Sequence, residues 1–191
     1  MPLVLTSGPA AEPVTVGEAK AHLRVDGTGE DALIASLILT SRLHIETALG
    51  IALITQSWRL ELDSWPMARP VLLPMRPLQA VGAVRVRGID GSPTLVASDN
   101  YLVDTVGTPP RLLPVNAGWP APGRRIGGIE IDLTAGYGAA ATDVPAPIRQ
   151  ALLLLVAHWY EHRDPIEIGA PETRIPGIIS DLLEPYRSKR L

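Results

Sequence analysis

The sequence contains no cysteine among its 191 residues, which excludes disulfide bonds and thiolate metal sites. It also contains no phenylalanine, and aromatic residues make up only 4% of the chain. Apolar residues nevertheless reach 46% against 19% charged residues, which is typical of a folded chain rather than a disordered one. The core is therefore expected to consist mainly of leucine, isoleucine, valine and alanine.

Positive charge is also scarce, and arginine carries nearly all of it because only two lysines are present. The formal net charge is −3, and the sequence shows no basic stripe of the kind that binds nucleic acid along its phosphates. The one basic cluster is Arg-Ser-Lys-Arg at residues 187–190. Binding of nucleic acid along its phosphates is therefore not expected.

Signals for secretion and membrane insertion are missing as well. The first residues, Met-Pro-Leu-Val-Leu, lack both the basic segment and the long apolar segment of a secretory signal. We find no uninterrupted apolar run close to the roughly 20 residues that a membrane helix needs. The sequence therefore predicts a soluble chain without a membrane partner.

Capping patterns predict two helices near the N-terminus. Thr15 and Glu18 form a capping box at the start of a short helix. A second start signal precedes apolar residues that recur at helical spacing over 31–49, and Gly50 follows at the position where a left-handed conformation ends a helix. Residues 1–14 show no periodicity, which predicts a loop or an extended arm.

The apolar period changes to two in the middle of the chain, which predicts β-strands. The predicted strands lie around residues 58–62, 84–86, 94–96, 100–103 and 129–133. Asp90 and Gly91 supply a turn between the second and the third of them. Residues 105–127 are rich in proline and glycine and are predicted to be a loop. Residues 51–138 thus form a small antiparallel β unit with polar outer faces.

Helix is predicted again in the last quarter of the chain. Residues 151–157 are apolar all round, so this helix is expected to be enclosed on most sides. A loop and a short amphipathic helix around residues 178–184 follow. The predicted fold class is α+β, with a small helical core formed by N- and C-terminal helices and an inserted antiparallel β unit. The predicted segments are 1–50, 51–138 and 139–191.

The stretch His-Trp-Tyr-Glu-His at residues 158–162 matches H-x-x-E-H, an inverted zinc-protease pattern. In that pattern His158 and His162, one helical turn apart, hold the metal, and Glu161 acts as general base. A third protein ligand could come only from His22 or His44. The match therefore makes a zinc-dependent hydrolase the alternative function.

The same stretch has a simpler interpretation as the end of a buried helix. Trp159 and Tyr160 are predicted to close the helical core, and the histidines offset the helix dipole. No other complete catalytic constellation is present, so we predict no catalytic residue, no metal and no cofactor. A third possibility is a ligand-binding β-barrel, which requires a pocket lined by the faces of Trp58 and Ile131.

A series of short motifs resembles tailed-phage head–tail connector (adaptor) proteins in content and order. The motifs lie at residues 12–15, 18–26, 30–34, 52–58, 134–138, 144–151 and 158–163. Each is weak alone, but the ordered set is specific and covers most of the chain. The sequence is similar to the subgroup with a β insertion, found in siphovirus-like phages and gene transfer agents.

The resemblance implies a structural protein rather than an enzyme. Such connectors form a ring, expected to be dodecameric, beneath the portal protein at the head–tail interface of the particle. In such a ring, the apolar helix at residues 151–157 is expected to bury surface against neighbouring subunits. The ring extends the DNA channel, lets DNA pass without sequence-specific binding, and receives the next connector or tail-completion protein. The chain would be made in the bacterial cytoplasm and end up in a virion or phage-like particle.

The resemblance also implies that the C-terminal segment docks to the portal. The residues assigned to this contact are Ile178, Ile179, Leu182, Leu183, Tyr186, Arg187, Lys189 and Arg190. The N-terminal arm is a second candidate for the same contact. Because a loop is predicted to separate the C-terminal helix from the core, deleting residues 178–191 is expected to abolish docking and leave the fold intact.

Overall fold

The computed structural model describes most of the chain. The described residues are 2–67, 70–115, 118–162 and 177–187. The chain divides into two compact units, each built from two separate stretches. One consists of Met1–Ala10 with Gly50–Tyr137, and the other of Ala11–Leu49 with Gly138–Leu191. The first is a β unit and the second a helical unit, which confirms the predicted α+β class with a β unit inserted between helices.

The described part of the helical unit contains four helices. They are α1 (Val16–Leu23), α2 (Asp31–Leu49), α3 (Ala146–Glu161) and α4 (Gly177–Leu183). Helix α2 packs on α3, α4 packs on α3, and α1 contacts both α2 and α3. Ile34, Ile38 and Ile45 of α2 are completely or almost completely buried, as are Leu152 and Leu155 of α3. The core is therefore aliphatic, as the composition predicts.

The predicted helix boundaries follow from local chemistry. Thr15 Oγ1 accepts a hydrogen bond from the Glu18 backbone N–H at 3.1 Å, and Glu18 Oε2 accepts one from the Thr15 N–H at 2.7 Å. This capping box satisfies amide groups that the first turn of α1 leaves without partners. Helix α2 occupies the predicted residues 31–49, and Gly50 follows with a φ of 63°.

Eight strands lie in the residues of the β unit that the structure describes. They are β1 (Leu3–Ser7), β2 (Gln56–Leu62), β3 (Val71–Leu72), β4 (Leu78–Arg87), β5 (Pro93–Val96), β6 (Tyr101–Asp104), β7 (Arg111–Pro114) and β8 (Ile129–Ala135). Two antiparallel sheets result, one in the order β1-β2-β8-β4-β5 and one in the order β3-β7-β6. Short 3-10 turns lie at Ser98–Asn100, Ala141–Asp143 and Glu184–Tyr186.

Alternation along the strands decides which side chains enter the core of the β unit. On β8, Ile129, Ile131 and Leu133 are buried in one cluster with apolar side chains of both sheets. Glu130 and Asp132 between them point to the opposite face, where they meet charged residues of neighbouring strands. The two sheets therefore share a single apolar core, and the five-stranded sheet keeps a charged outer face.

Two parts of the sequence prediction are wrong. Residues 1–14 do not form a loop throughout, because β1 pairs with β2 in antiparallel register, with Leu3 opposite Leu60. Residues 105–127 are not all loop either, because β7 pairs with both β6 and β3. In each case the partner strand, distant in sequence or very short, supplies backbone hydrogen bonds that a local pattern does not reveal.

Helix α2 also corrects the expectation that no segment approaches a membrane span. By length and composition alone its 19 residues could cross a membrane, and it is the one such helix in the described part of the chain. However, one side of α2 is buried in the helical unit, including the polar Ser41 and the charged Arg42. These features are those of a core helix with an apolar outer side.

Candidate connector surfaces

The H-x-x-E-H residues lie in the last turn of α3 and just beyond it. The rings of His158 and His162 are 4.6 Å apart, and His162 Nδ1 lies 2.8 Å from the His158 carbonyl oxygen. Burial, together with the neighbouring His162, lowers the pKa of His158. His44 makes an edge contact with Trp159 at 5.7 Å. Among the described residues, no group of three possible ligands could hold a metal ion, so nothing here supports the zinc alternative.

Trp159 and Tyr160 connect the end of α3 to other parts of the helical unit. Trp159 meets His44 of α2, and the Tyr160 hydroxyl donates a hydrogen bond to the Glu30 carboxylate just before α2. Both aromatic side chains are half-buried. The last turn of α3 therefore contacts both α2, at His44, and the residue that precedes α2, Glu30.

The interior of the β unit is filled by side chains rather than by a ligand pocket. Ile131 is completely buried in the shared core, and Trp58 packs against the same cluster. Leucine, isoleucine and valine side chains from both sheets occupy the space between these faces. The packing of Trp58 and Ile131 therefore does not support the ligand-binding barrel considered from the sequence.

The outer face of the five-stranded sheet carries an ion-pair network. Asp132 lies 2.8 Å from Arg59 and 2.5 Å from Arg85, and Glu130 lies 2.5 Å from Arg87. Burial alone would raise the pKa of Asp132, but the hydrogen bonds and charges of Arg59 and Arg85 lower it below its usual value. Because carboxylates neutralise all three arginines, this face is poorly suited to gripping phosphates.

Helix α2 presents an uncharged outer face. Leu33, Leu39 and Leu43 are exposed on it, together with small or neutral residues. The only aspartate, glutamate, lysine or arginine residues from position 32 to position 49 are Arg42 and Glu46, which pair at 2.8 Å. The exposed His44 also lies in this range. We call Leu33, Leu39, Leu43 and the exposed residues between them the outer face of α2. Exposed apolar surface of this kind marks an interaction site.

This outer face is the feature that sequence reasoning missed. The sequence instead predicted subunit contacts for the apolar run at residues 151–157. In the structure, the fully buried side chains of that run, including Leu152 and Leu155, lie in the core of the chain's own helical unit. The signal in α2 was a long apolar helix with few charged residues, but which of its sides faces outward depends on tertiary packing.

The predicted portal-docking residues divide into buried and exposed ones. Ile179 and Leu183 are buried, whereas Ile178 is 59% exposed. Leu182 and Tyr186 are half-buried, and Arg187 is exposed and pairs with Glu184 at 3.3 Å. Lys189 and Arg190 lie outside the described residues. Because α4 packs on α3, the C-terminal helix is not separate from the core, which argues against the expectation that residues 178–191 can be removed without harm to the fold.

Comparison with known proteins identifies the family. A family model described as "Phage gp6-like head-tail connector protein" matches residues 13–106. No curated protein matches the sequence. A chain of the solved virion of a native gene transfer agent particle is 31% identical, with a TM-score of 0.83, over 100% of this chain and 97% of that chain. The protein belongs to the phage gp6-like head–tail connector family.

Two further solved structures are similar to this connector over the same extent. One is the neck of an empty gene transfer agent particle computed with C6 symmetry, at 30% identity and a TM-score of 0.85. The other is the neck of a native particle computed with C12 symmetry, at 31% identity and a TM-score of 0.81. Each covers 100% of the connector and 97% of the matched chain. The predicted family and the prediction of a structural rather than enzymatic role are confirmed.

Proposed function

We propose that the protein is a ring subunit at the head–tail interface of a phage-like particle, beneath the portal protein. The observation that carries this proposal is the full-length similarity to chains in the necks of gene transfer agent particles. The similarity includes both units, so it concerns the whole subunit rather than one shared module. We infer a ring of twelve copies from the C12 symmetry of one of these necks.

The outer face of α2 is suited to contacts between neighbouring subunits. A closed ring requires each copy to contact the next through extended complementary surface. The exposed leucines of α2 provide apolar area, and the absence of charge along this face removes the desolvation cost that buried charges would bring. We therefore assign Leu33, Leu39 and Leu43 to the interface between subunits.

A ring in this position surrounds DNA on its way out of the head. The connector carries a net charge of −3, and the arginines on the outer face of the five-stranded sheet are paired with carboxylates. A surface without an excess of cations binds phosphates weakly and without sequence preference. This electrostatic character fits a channel through which DNA slides.

Portal docking is assigned to the C-terminal segment. Ile179 and Leu183 are buried and hold α4 against the helical unit, which leaves Ile178 exposed for a partner. Arg187 and the half-buried Leu182 and Tyr186 lie in the same short segment. The next connector or tail-completion protein would contact a different surface of the ring.

Reconstruction of the neck of purified particles by cryo-electron microscopy tests this function. We expect twelve copies of the chain between the portal and the tail, with the outer face of α2 covered by an adjacent copy. Particles from cells that lack the gene serve as the control and should lose this layer of density. Absence of the chain from the neck, or its presence elsewhere in the particle, would contradict the proposal.

A further inference from the structure

The five-stranded sheet has two free edges. In the part of the chain that the structure describes, β1 pairs only with β2, and β5 pairs only with β4. Each edge strand therefore presents backbone N–H and C=O groups that no described strand of the same chain meets. Such a row of groups binds an added β-strand through main-chain hydrogen bonds. The backbone itself thus determines that the occupant of each edge is an extended strand.

Neither edge carries the charged residues that commonly prevent strand addition. Strand β1 has the sequence Leu-Val-Leu-Thr-Ser, and β5 has the sequence Pro-Thr-Leu-Val. Lysine or another charged residue on an edge strand usually opposes pairing with a second chain, and neither sequence contains one. Pro93 occupies the first position of β5, where a proline leaves residues 94–96 able to pair. Both edges are therefore open to an added strand.

Both edges expose an apolar side chain on the same face of the sheet. Val4 lies opposite Arg59 of β2, and Leu95 lies opposite Arg85 of β4. Because both arginines bind Asp132 on the outer face of the five-stranded sheet, Val4 and Leu95 project from that face as well. Val4 is 46% exposed and Leu95 is 65% exposed. The outer face of the sheet is thus charged in the middle and apolar at its two edges.

The two edges also match in direction and in length. All neighbouring strands of the sheet are antiparallel, so the first strand, β1, and the fifth, β5, run in the same direction. Residues 3–5 pair with β2 before the register shifts, and residues 94–96 follow the proline of β5. Neighbouring copies in a large ring are related by a small rotation, which leaves the direction of a strand nearly unchanged. The two edges of neighbouring copies can therefore form a short parallel pair.

We propose that β5 of one copy pairs with β1 of the next, so that the five-stranded sheet continues from subunit to subunit. A ring of more than two members needs heterologous contacts, in which two different surfaces of the chain meet. The two edges of one sheet supply such a pair, and their joining covers Val4, Leu95 and the 46% exposed Leu5. The inference rests on the proposed ring, and it adds a main-chain contact to the contact assigned to the outer face of α2.

A second copy of the chain is the occupant that fills both edges. A strand from a different protein of the particle covers one edge and leaves the other open. Pairing of β1 with β1 of a second copy also leaves β5 open, and it produces a two-fold dimer rather than a ring. Because no charge lies on either edge strand, the joint between β5 and β1 brings no like charges together.

Cysteine crosslinking tests this joint directly, because the chain has no cysteine of its own. The edge pair, Val4→Cys with Leu95→Cys in one chain, places a thiol at each edge of the sheet. The controls are the two single substitutions and the pair Val4→Cys with Leu72→Cys, since Leu72 is an exposed leucine on β3 of the other sheet. Purified particles are treated with a short bifunctional maleimide, and denaturing gels resolve the crosslinked chains.

We expect the edge pair to give a ladder of crosslinked chains that extends to the full ring, and the controls to give no multimers. Dimers from Val4→Cys alone would overturn the proposal, because they indicate pairing of β1 with itself. Crosslinks from either edge to a different protein would overturn it as well. Necks that contain the edge pair but yield no ladder overturn this inference alone, whereas absence of the wild-type chain from necks contradicts the proposed function.

Charges at the same two positions give a second test that does not depend on crosslinking. Val4→Glu with Leu95→Glu brings like charges together across the joint, although each glutamate lies beside an arginine of its own copy. The connector content of necks, measured by quantitative mass spectrometry, should fall about fivefold or more. Val4→Glu with Leu95→Lys brings opposite charges together and should restore the wild-type content. Equal content for the two double variants would overturn the proposal.

Discussion

Arg42 and Glu12 form an ion pair of 2.7 Å that joins the middle of α2 to the segment before α1. Burial alone would lower the pKa of Arg42, but the hydrogen bonds and charges of Glu12 and Glu46 raise it above its usual value, so the arginine stays charged. Arg42 is buried and forms its ion pairs inside the helical unit, so its charge does not lie on the outer face of α2. The buried ion pair and the exposed leucines therefore lie on different sides of the same helix.

The outer face of α2 gives the first prediction. Leu39→Asp combined with Leu43→Asp should change the free energy of unfolding by no more than about 0.5 kcal/mol per site, because both side chains are exposed. The same variant should be lost from particles, since charge on this face opposes its burial between subunits. Denaturant unfolding and the connector content of particles are the two measurements.

Leu102→Asp is the matched control for that variant, because Leu102 is an exposed leucine on β6 of the other unit. It should affect neither unfolding nor incorporation. Wild-type incorporation of the α2 double variant would show that the subunit interface lies elsewhere.

The packing of α4 gives the second prediction. Ile179 is 2% exposed, so Ile179→Ala should lower the free energy of unfolding of the helical unit by about 2–5 kcal/mol. Ile178→Ala, at the adjacent exposed position, should stay within about 0.5 kcal/mol of the wild type. Urea unfolding followed by helical circular dichroism checks both values, and equal effects of the two substitutions would contradict the assignment of buried and exposed sides.

Portal docking gives the third prediction, and it requires a substitution rather than a deletion. Ile178→Asp places a charge on the exposed side of α4 and should leave the thermal melting temperature unchanged within a few degrees. Retention of the variant on portal-containing heads should fall, because an apolar contact is replaced by a carboxylate that must lose its water. Asp181→Asn, an exposed change on the same helix, is the control. Undiminished retention of Ile178→Asp would remove this residue from the docking surface.

The pH dependence of stability gives the fourth prediction. Because Arg59 and Arg85 hold the pKa of Asp132 below its ordinary value of 3.8, the ionised carboxylate favours the folded state. Its contribution is fully present above the ordinary pKa and is lost as the pH falls through the lowered pKa of the folded protein. Asp132→Asn should therefore lower the free energy of unfolding at neutral pH by about 1–3 kcal/mol.

Urea unfolding at neutral pH and at acid pH checks the fourth prediction. The difference between Asp132→Asn and the wild type should shrink once the wild-type carboxyl is protonated. Asp99→Asn alters an exposed carboxylate in the turn before β6 and should show no such pH-dependent difference. A difference that stays constant from neutral to acid pH would exclude the ion-pair network as its cause.

Elements with local signals could be predicted from the sequence. Helix α2 has acidic residues at its start and Gly50 at its end, and these signals lie within one turn of the boundaries they determine. The β4–β5 hairpin is similarly local, because the turn at Asp90 and Gly91 connects strands that pair directly. In both cases the residues that decide the structure are close in sequence.

Elements that depend on distant partners could not be predicted in the same way. Strand β1 begins with three consecutive apolar residues, which show no alternation, and its partner β2 lies some fifty residues further along the chain. Strand β7 has only four residues and proline at its end, so its own pattern is too short to recognise. Which side of α2 faces outward likewise follows from its packing on α3 and from the Arg42–Glu12 ion pair. Both contacts involve residues far from α2 in sequence, so the sequence of α2 alone does not predict them.

The position of β8 between β2 and β4 has a consequence for how the subunit is made. Strands β2 and β4 both pair with β8, so their pairing must wait until residues 129–135 have been synthesised. Helix α2 packs on α3, so its packing must wait until residues 146–161 have been synthesised. Both cores therefore close late, through contacts far apart in sequence, which makes folding slow compared with a locally connected fold. A chain that terminates before β8 lacks the central strand of the β unit and helix α3 of the helical unit, so it cannot complete either core.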